Sequence, residues 1–409
     1  MSSTPSVART GAPSSATPSD LPIDSAVTPS PRGDDLAIVL DGGGARAAYQ
    51  VGLLRGLVRR YPDLRLPLIT GVSAGAINAT FLASHPGPPT DAVDELTTLW
   101  CDLTIDQVFR VDTRSLAGNV FHWGLRLISG GRVAHPPARG LVDTAPLRKT
   151  LEEALQPLPG GEIPGIARNL ASGRLSALAI LTSSYTTGRS VAWVEGPDIQ
   201  QWDRPFRHHR QTRLTVEHVM ASAALPLLFP AVRLEGAWYG DGGIRLVTPL
   251  SPAVHMGANR ILAFSTRYAR TREQAEVVQV RRYPPPMQIA GQLLNAVFLD
   301  DHERDAMMLE RINALIHPLP EEQRHGLREI DLVFLRPSRD IGRLAAEYEP
   351  KLPGMFRHLV GGLGSRDTTS PDLLSLLMFV PEYLRALIEI GEADVEARAD
   401  EIATLVERP

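Results

Sequence analysis

Two consecutive units of strand, tight turn and helix open the folded part of this sequence, and they constrain its fold more than any other feature. In the first unit, the apolar run 36–40 stops at the glycine turn 41–44, after which apolar residues recur at helical spacing. The second unit has an apolar run at 66–70, a small-residue turn at 71–75 and a helical pattern at 76–83. Continuous apolar runs are typical of strands buried in a parallel sheet. The pattern therefore predicts an α/β protein with both turns at the carboxyl edge of the sheet.

The rest of the chain adds strands and helices to this core. Strand character at 175–182 and 190–194, separated by Thr187-Gly188, predicts a hairpin. A helix is expected from about 215 to 224, and residues 85–174 are expected to form helices over the sheet as a lid or flank. Further strands are predicted at 231–234, 237–239, 260–265 and 330–335, and long helical patterns at 287–316, 341–359 and 372–406. We expect a three-layer α/β/α fold with a mostly parallel central sheet and a helical C-terminal extension.

Composition sets the domain organisation. At 43% hydrophobic and 22% charged residues, the chain has an ordinary globular composition. Residues 1–34 are rich in Ser, Thr and Pro and contain no aromatic residue, which predicts a disordered tail. We expect one α/β domain at 35–265 and a mostly helical extension, packed on that domain, at 266–409.

Ser73 lies in the second turn, within Gly71-Val72-Ser73-Ala74-Gly75. This matches the G-x-S-x-G pattern of a nucleophile elbow, in which small neighbours allow close backbone approach around a strained serine. A serine before a helix is also a common N-cap. The position between an apolar strand and a helix is the context that the elbow requires, and it favours a nucleophilic role for Ser73.

The first turn carries three consecutive glycines, Gly42, Gly43 and Gly44, followed by Arg46. Glycines leave backbone N–H groups uncovered, so they can face a developing oxyanion at the same sheet edge as Ser73. The turn also spells G-x-G-x-x-A, a dinucleotide fingerprint. The aspartate before the first glycine would crowd a pyrophosphate, and the second strand ends without the ribose-binding acid. Arg46 is expected to support the loop or neutralise a nearby anionic group.

Asp241 is a candidate partner for the serine, because it lies between Gly240 and Gly242-Gly243 directly after a short strand. An isolated aspartate in such a turn is usually solvated. A serine nucleophile, however, requires an adjacent base, and a partly desolvated carboxylate can be that base.

These residues together resemble the patatin-like phospholipase family, in particular its bacterial members. The motifs that carry the resemblance occur in the family's order, namely 41–46, the elbow around Ser73, 221–226 and 241–243. The sequence departs from the family at Ala47, where many members have glycine after the arginine.

The resemblance implies a serine lipid acyl hydrolase, either a phospholipase A or a lysophospholipase-like esterase. The implied dyad is Ser73 as nucleophile and Asp241 as base, within a catalytic domain at 35–265, with Arg46 in a supporting role. The implied oxyanion donors are the amides of Gly42, Gly43, Gly44 and Ala74. A lipid or phospholipid is the implied substrate, and no cofactor or metal is required.

Charge and cysteine content exclude several other classes. The formal charge of -4 argues against a dedicated nucleic-acid binder. The single cysteine, Cys101, excludes an internal disulfide and a cysteine-based zinc site, and the 11 histidines show no metal-binding spacing. No apolar stretch is long enough for a membrane span and no signal peptide is recognisable. We therefore expect a cytoplasmic protein capable of transient contact with a membrane surface; its oligomeric state stays open.

Two other classes remain open at this point. An α/β-hydrolase with a Ser-His-Asp triad would use a late histidine such as His302 or His358 as the base. Only one strand precedes the strand that delivers Ser73, however, whereas that fold normally has several. A non-enzymatic module that binds a nucleotide or lipid would use the glycine loop as an anion cradle.

Overall fold

The computed structural model describes residues 36–110, 140–197, 199, 202–246, 248–276, 283, 289, 291–293, 300–354, 356–357 and 372–407. The tail expected at 1–34 therefore lies outside the described residues. Most of the 287–299 segment, and His358, lie outside them too.

One mixed sheet forms the centre of the molecule, with the strand order β10-β9-β1-β2-β3-β4-β6-β5, and β7 and β8 pair beside this path. The strands are β1 Leu36–Leu40, β2 Leu68–Val72, β3 Ala177–Ser184, β4 Ser190–Glu195, β5 Asp203–Arg204, β6 Arg207–Gln211, β7 Val232–Leu234, β8 Ala237–Asp241, β9 Arg260–Phe264 and β10 Asp331–Leu335. The five strands from β10 to β3 in this order are parallel, and β3 and β4 form the expected antiparallel hairpin. The apolar runs of β1 and β2 are buried throughout because helices cover both faces.

Helices connect and cover these strands. They are α1 Ala48–Arg60, α2 Ala74–Ser84, α3 Pro89–Asp102, α4 Ile105–Val108, α5 Ala145–Leu155, α6 Pro164–Ala171, α7 Val216–Ser222, α8 Ser251–His255, α9 Arg272–Ala275, α10 Asp300–Ile316, α11 Ile341–Tyr348, α12 Asp372–Leu377, α13 Pro381–Ala397 and α14 Ala399–Val406. The expected three-layer α/β/α fold with a mostly parallel sheet and a helical C-terminal region is confirmed.

Two long helical patterns are shorter in the structure than the sequence predicts. The helix expected at 341–359 ends at Tyr348, because Pro350 lies in the 3-10 turn that follows. The pattern at 372–406 is divided into three helices, with Pro381 in the first turn of α13. The helical spacing of apolar residues continues across these positions, whereas the helical conformation of the backbone is interrupted.

The C-terminal helix α13 packs against α1, the first helix of the chain. A Cβ atom on Gly52 of α1 would lie 2.1 Å from the Ile388 carbonyl oxygen of α13, and one on Gly391 would lie 2.3 Å from the Tyr49 carbonyl oxygen. The Tyr49 hydroxyl also donates a buried hydrogen bond of 2.9 Å to Asp394. Because β10 joins the sheet beyond β9 as well, the C-terminal region contributes to the same core. The domain boundary at 265 stays a prediction.

One edge of β3 is shared by two strands, and this arrangement sets the position of Asp241. The β2 strand pairs with β3 up to Val72 opposite Leu181, and β8 then pairs antiparallel with the next residue, Asp241 opposite Thr182. Asp241 therefore occupies the sheet position that follows Val72. The chain of β2 turns away at that point into Ser73 and α2.

Candidate active site

Ser73 lies on a strained turn between β2 and α2. Its backbone has φ 55° and ψ −128°, a conformation that non-glycine residues rarely adopt. Such strain costs about 1–3 kcal/mol and persists only where the surroundings enforce it. Gly75 allows the tight packing of this turn, because a Cβ atom there would lie 2.3 Å from the Asp41 carbonyl oxygen. The geometry is that of a nucleophile elbow, with a side chain that is 8% exposed.

Ser222 holds the elbow from the side of α7. Its hydroxyl accepts a hydrogen bond of 3.0 Å from the Ser73 amide and donates one of 2.6 Å to the Leu181 carbonyl oxygen. The same segment binds β8, since the Asp241 amide donates to the Ala224 carbonyl oxygen at 3.0 Å. Ser222 thus links the turn that carries Ser73 to β3. Ala224, just after α7, links the end of that helix to β8.

Asp241 is completely buried, and its environment raises its basicity. Burial raises the pKa of Asp241 to about 7, and the nearby Asp41 carboxylate adds to the rise, while the Ser73 hydroxyl and the Gly243 amide oppose it. The Gly243 amide donates to Asp241 Oδ1 at 2.9 Å. Asp241 Oδ2 makes no hydrogen bond of ordinary geometry with the described residues. Contacts between a nucleophile and its base are often loose in substrate-free enzymes and tighten on binding.

The glycine loop packs directly against the serine. A Cβ atom on Gly42 would lie 3.1 Å from Ser73 Cβ, and the Gly42 carbonyl oxygen accepts a hydrogen bond of 2.7 Å from the Thr266 hydroxyl. The Gly42 amide donates to Asp41 Oδ1 at 2.7 Å. Gly43 has φ 149° and Gly44 opens a 3-10 turn, Gly44–Ala47, where the first N–H groups of a helix have no partner within the helix.

An apolar cavity of about 220 Å³ opens beside Ser73. Part of its wall consists of four residues from the two turns, namely Gly43, Gly44, Ser73 and Ala74. The other walls come from α2, α3, α4, α5, α12 and the segment after α7, with side chains such as Phe81, Leu96, Leu151 and Phe229. The cavity places a long apolar surface next to the serine.

Arg46 is buried behind the loop and does not line the cavity. Its guanidinium is paired with Asp372 at 2.9 Å, and its Nε donates to the Ser375 hydroxyl at 2.7 Å. These contacts tie the glycine loop to α12 and also pair Arg46 with a nearby carboxylate, so both roles expected for Arg46 stay predictions.

Among the described residues, neither a histidine of the cavity wall nor a metal-binding cluster is found at this site. The cavity beside Ser73 is lined by no histidine from the described parts of the chain. Those parts also contain no group of three His, Cys, Asp or Glu residues placed to hold a metal. Nor does any helix among the described residues have the length and apolar character needed to cross a membrane.

This chain is an α/β protein in which a serine lies on a strained strand-to-helix turn with the geometry of a nucleophile elbow, beside a buried carboxylate and an apolar cavity. The family model for patatin-like phospholipases matches residues 38–254, which is more than half of the chain. The chain belongs to the patatin-like phospholipase family. No curated protein matches the sequence.

Solved structures of two other proteins show similarity to this chain. Human GIVD cytosolic phospholipase A2 is 13% identical, with a TM-score of 0.45, and the alignment covers 91% of this chain and 60% of that one. VipD from Legionella pneumophila is 14% identical, with a TM-score of 0.31, and the alignment covers 75% of this chain and 62% of that one. The alignments thus span less than two thirds of the length of each of these proteins.

Most of the residues that the sequence singles out converge in the structure. Ser73, Ala74, Gly43 and Gly44 meet at one cavity, whereas Gly42 lies beside Ser73 with its amide already bonded to Asp41. Sequence reasoning missed four residues that hold the site, namely Ser222, Thr266, Asp372 and Ser375. Ser222 lies in the family-like segment 221–226, which was a usable signal. Thr266 carries no recognisable motif.

Proposed function

We propose that this protein is a serine acyl hydrolase that cleaves carboxylic esters of lipids, in particular phospholipids or lysophospholipids. The observation that supports the proposal most is the shared edge of β3, where the buried Asp241 follows Val72 in the sheet, next to the turn of the strained Ser73. Membership of the family supports the same substrate class. The apolar cavity supports an acyl chain as the group bound beside the nucleophile.

In the proposed reaction, Asp241 accepts the proton of the Ser73 hydroxyl while Oγ attacks the ester carbonyl carbon. A carboxylate with a pKa of about 7 is matched to this transfer near neutral pH. The resulting tetrahedral intermediate collapses to an acyl-enzyme, and Asp241 gives the proton to the departing alcohol. Water then attacks the acyl-enzyme with Asp241 again as base, which releases the fatty acid and restores Ser73.

The oxyanion donors in this proposal are the amides of Gly43, Gly44 and Ala74, because these residues line the cavity together with Ser73. The Ser73 amide donates to Ser222 and the Gly42 amide donates to Asp41, so either would have to release a bond before binding an oxyanion. Gly42 contributes instead by allowing the loop to approach Ser73.

The first test compares Ser73→Ala with Ser84→Ala, a matched control from the other end of the same helical segment with the same 8% exposure. We expect Ser73→Ala to lose fluorophosphonate labelling and the hydrolysis of both p-nitrophenyl esters and phospholipids. The control should retain both, because its hydroxyl only donates to the Phe81 carbonyl oxygen. Unchanged hydrolysis by Ser73→Ala would refute the nucleophile.

The second test examines the base with Asp241→Ala alone and combined with Ser73→Ala. Residues that act as one unit are strongly non-additive, so the double variant should be no slower than either single variant. Near-wild-type turnover in Asp241→Ala, or complete loss on replacing one histidine, would favour a Ser-His-Asp triad. A folded wild-type protein that resists the probe would favour the binding module.

A further inference from the structure

The glycine loop beside Ser73 is held between two elements. On one side, the Thr266 hydroxyl after β9 donates to the Gly42 carbonyl oxygen at 2.7 Å. On the other side, a Cβ atom on Gly44 would lie 2.2 Å from the Leu376 carbonyl oxygen, so the backbone of the loop is in direct contact with α12. The donors proposed for the oxyanion therefore have a C-terminal helix as their immediate neighbour.

Arg46 connects the loop to α12 through three hydrogen bonds. Its Nε donates to Ser375 Oγ at 2.7 Å, and its Nη2 donates to Asp372 Oδ1 at 2.9 Å and to the Asp372 carbonyl oxygen at 3.0 Å. The arginine is 3% exposed, and burying a charged group is costly unless it is paired and hydrogen-bonded. Every one of these partners comes from α12, 326 or more positions away in sequence.

The contact extends to the cavity wall. Leu376 and Leu377 of α12, and Phe379 just after it, line the same cavity as Gly43, Gly44 and Ser73. The backbone turn is closed by the Arg46 amide, which donates to the Gly43 carbonyl oxygen at 3.0 Å. A shift of α12 would thus move Arg46, and with it the turn that presents the loop amides.

We propose that Asp372 and Ser375 of α12 are positioning residues that hold the glycine loop, through Arg46, in the geometry required to bind the oxyanion; this inference rests on the proposed hydrolase function. The carboxylate and hydroxyl orient the planar guanidinium, and the guanidinium orients the turn from Gly43 to Arg46. Transition-state binding requires that orientation, whereas the apolar cavity can bind an acyl chain without it.

The test uses two mild variants, Asp372→Asn and Ser375→Ala, with Glu382→Gln as the control. Glu382 pairs with Lys351 at 2.8 Å on the exposed surface of the same C-terminal region. Active sites are titrated with a fluorophosphonate, so that kcat is expressed per competent site and unfolded protein does not count. We expect kcat to fall at least tenfold in both variants with KM within about twofold, and to stay unchanged in the control.

A kcat within twofold of wild type in Asp372→Asn and Ser375→Ala would overturn the inference. So would a loss that disappears when rates are divided by titrated sites, because that loss would reflect folding alone. Arg46→Lys should lower kcat as strongly as Asp372→Asn does, and combining the two should add little further loss. A fully additive double variant would contradict action through one linkage.

Hydrogen exchange of a peptide covering residues 38–49 gives a readout independent of activity. We expect the loop amides to exchange at least tenfold faster in Asp372→Asn than in wild type or Glu382→Gln. If the wild-type protein neither hydrolyses esters nor reacts with the probe, the proposed function fails, and faster exchange still supports the positioning of the loop. Unchanged exchange would overturn the positioning role whatever the activity.

Discussion

Asp241 is completely buried, whereas the role of base that we propose for it requires its charged form. Burial raises its pKa to about 7, so below that pH most Asp241 side chains would be protonated and unable to act as the proposed base. We expect kcat/KM to rise about tenfold per pH unit up to about 7 and then to level off. The rate of fluorophosphonate labelling between pH 5 and 9 measures this rise without an ester substrate. A flat profile would contradict Asp241 as the base.

The same pKa shift means that ionised Asp241 lowers the free energy of unfolding at neutral pH and above. The folded carboxyl holds its proton more tightly than an unfolded aspartate, whose pKa is about 3.9, so the stability contributed at low pH is lost as pH rises from about 4 to 7. Asp241→Asn removes this loss. We expect the inactive variant to be more stable than wild type at pH 8 by up to about 4 kcal/mol, and similar at pH 4, in urea unfolding.

That pH dependence is specific to one residue, because every other titrating group is common to wild type and variant. A free energy difference between the two proteins that is the same at pH 4 and pH 8 would contradict the raised pKa.

The sequence was informative about residues that belong to short motifs and uninformative about their remote partners. Ser73 and Asp241 each follow a strand and lie among glycines, so their patterns are local. Asp372 and Ser375 lie in an ordinary apolar helical pattern, and their pairing with Arg46 depends on where α12 packs. No local signal encodes that packing.

At the scale of elements, periodicity predicted the parallel core well. The run at 36–40 is β1 without change, and the run at 66–70 is shifted by two residues to β2. Periodicity could not show that β8 pairs with β3 beyond the end of β2. Which strands become neighbours depends on how distant parts of the chain pack, and a local pattern does not contain that information. The prediction that Asp241 lies close to Ser73 therefore rested on the need of a serine nucleophile for an adjacent base. The pairing of β2 and β8 with the same edge of β3 explains why the two residues are neighbours.

The packing of α1 against α13 gives a prediction about stability. Gly52→Ala would place a Cβ atom 2.1 Å from the Ile388 carbonyl oxygen, so the two helices must separate. Overpacking of this kind typically costs about 1–3 kcal/mol, and we expect a lower midpoint of thermal unfolding. Gly160→Ala is the control, since no atom lies within 4 Å of its added methyl group. Equal midpoints for the two variants would show that α13 is not tightly packed on α1.

For the whole molecule, charge and surface determine how it meets a lipid aggregate. The formal charge of -4 gives little attraction to anionic lipid, so contact would depend on exposed apolar side chains. Leu227 is 69% exposed and lies between Leu225 and Phe229, which both line the cavity beside Ser73. Phe206 is similarly exposed, at 72%, but lies outside the cavity lining. Leu227 is therefore the better candidate for a lipid contact that leads substrate to the serine.

We expect activity to rise when a short-chain phospholipid passes its critical micelle concentration, and Leu227→Asn to reduce that rise several-fold. Leu227 has φ 65°, a conformation that asparagine tolerates, so the substitution removes apolar surface without straining the backbone. Hydrolysis of a water-soluble p-nitrophenyl ester should not change, because Leu227 does not line the cavity. Phe206→Ser is the control and should retain the rise. A smooth saturation curve in the wild type, or an equal effect of both substitutions, would contradict contact through Leu227 and leave the dyad untouched.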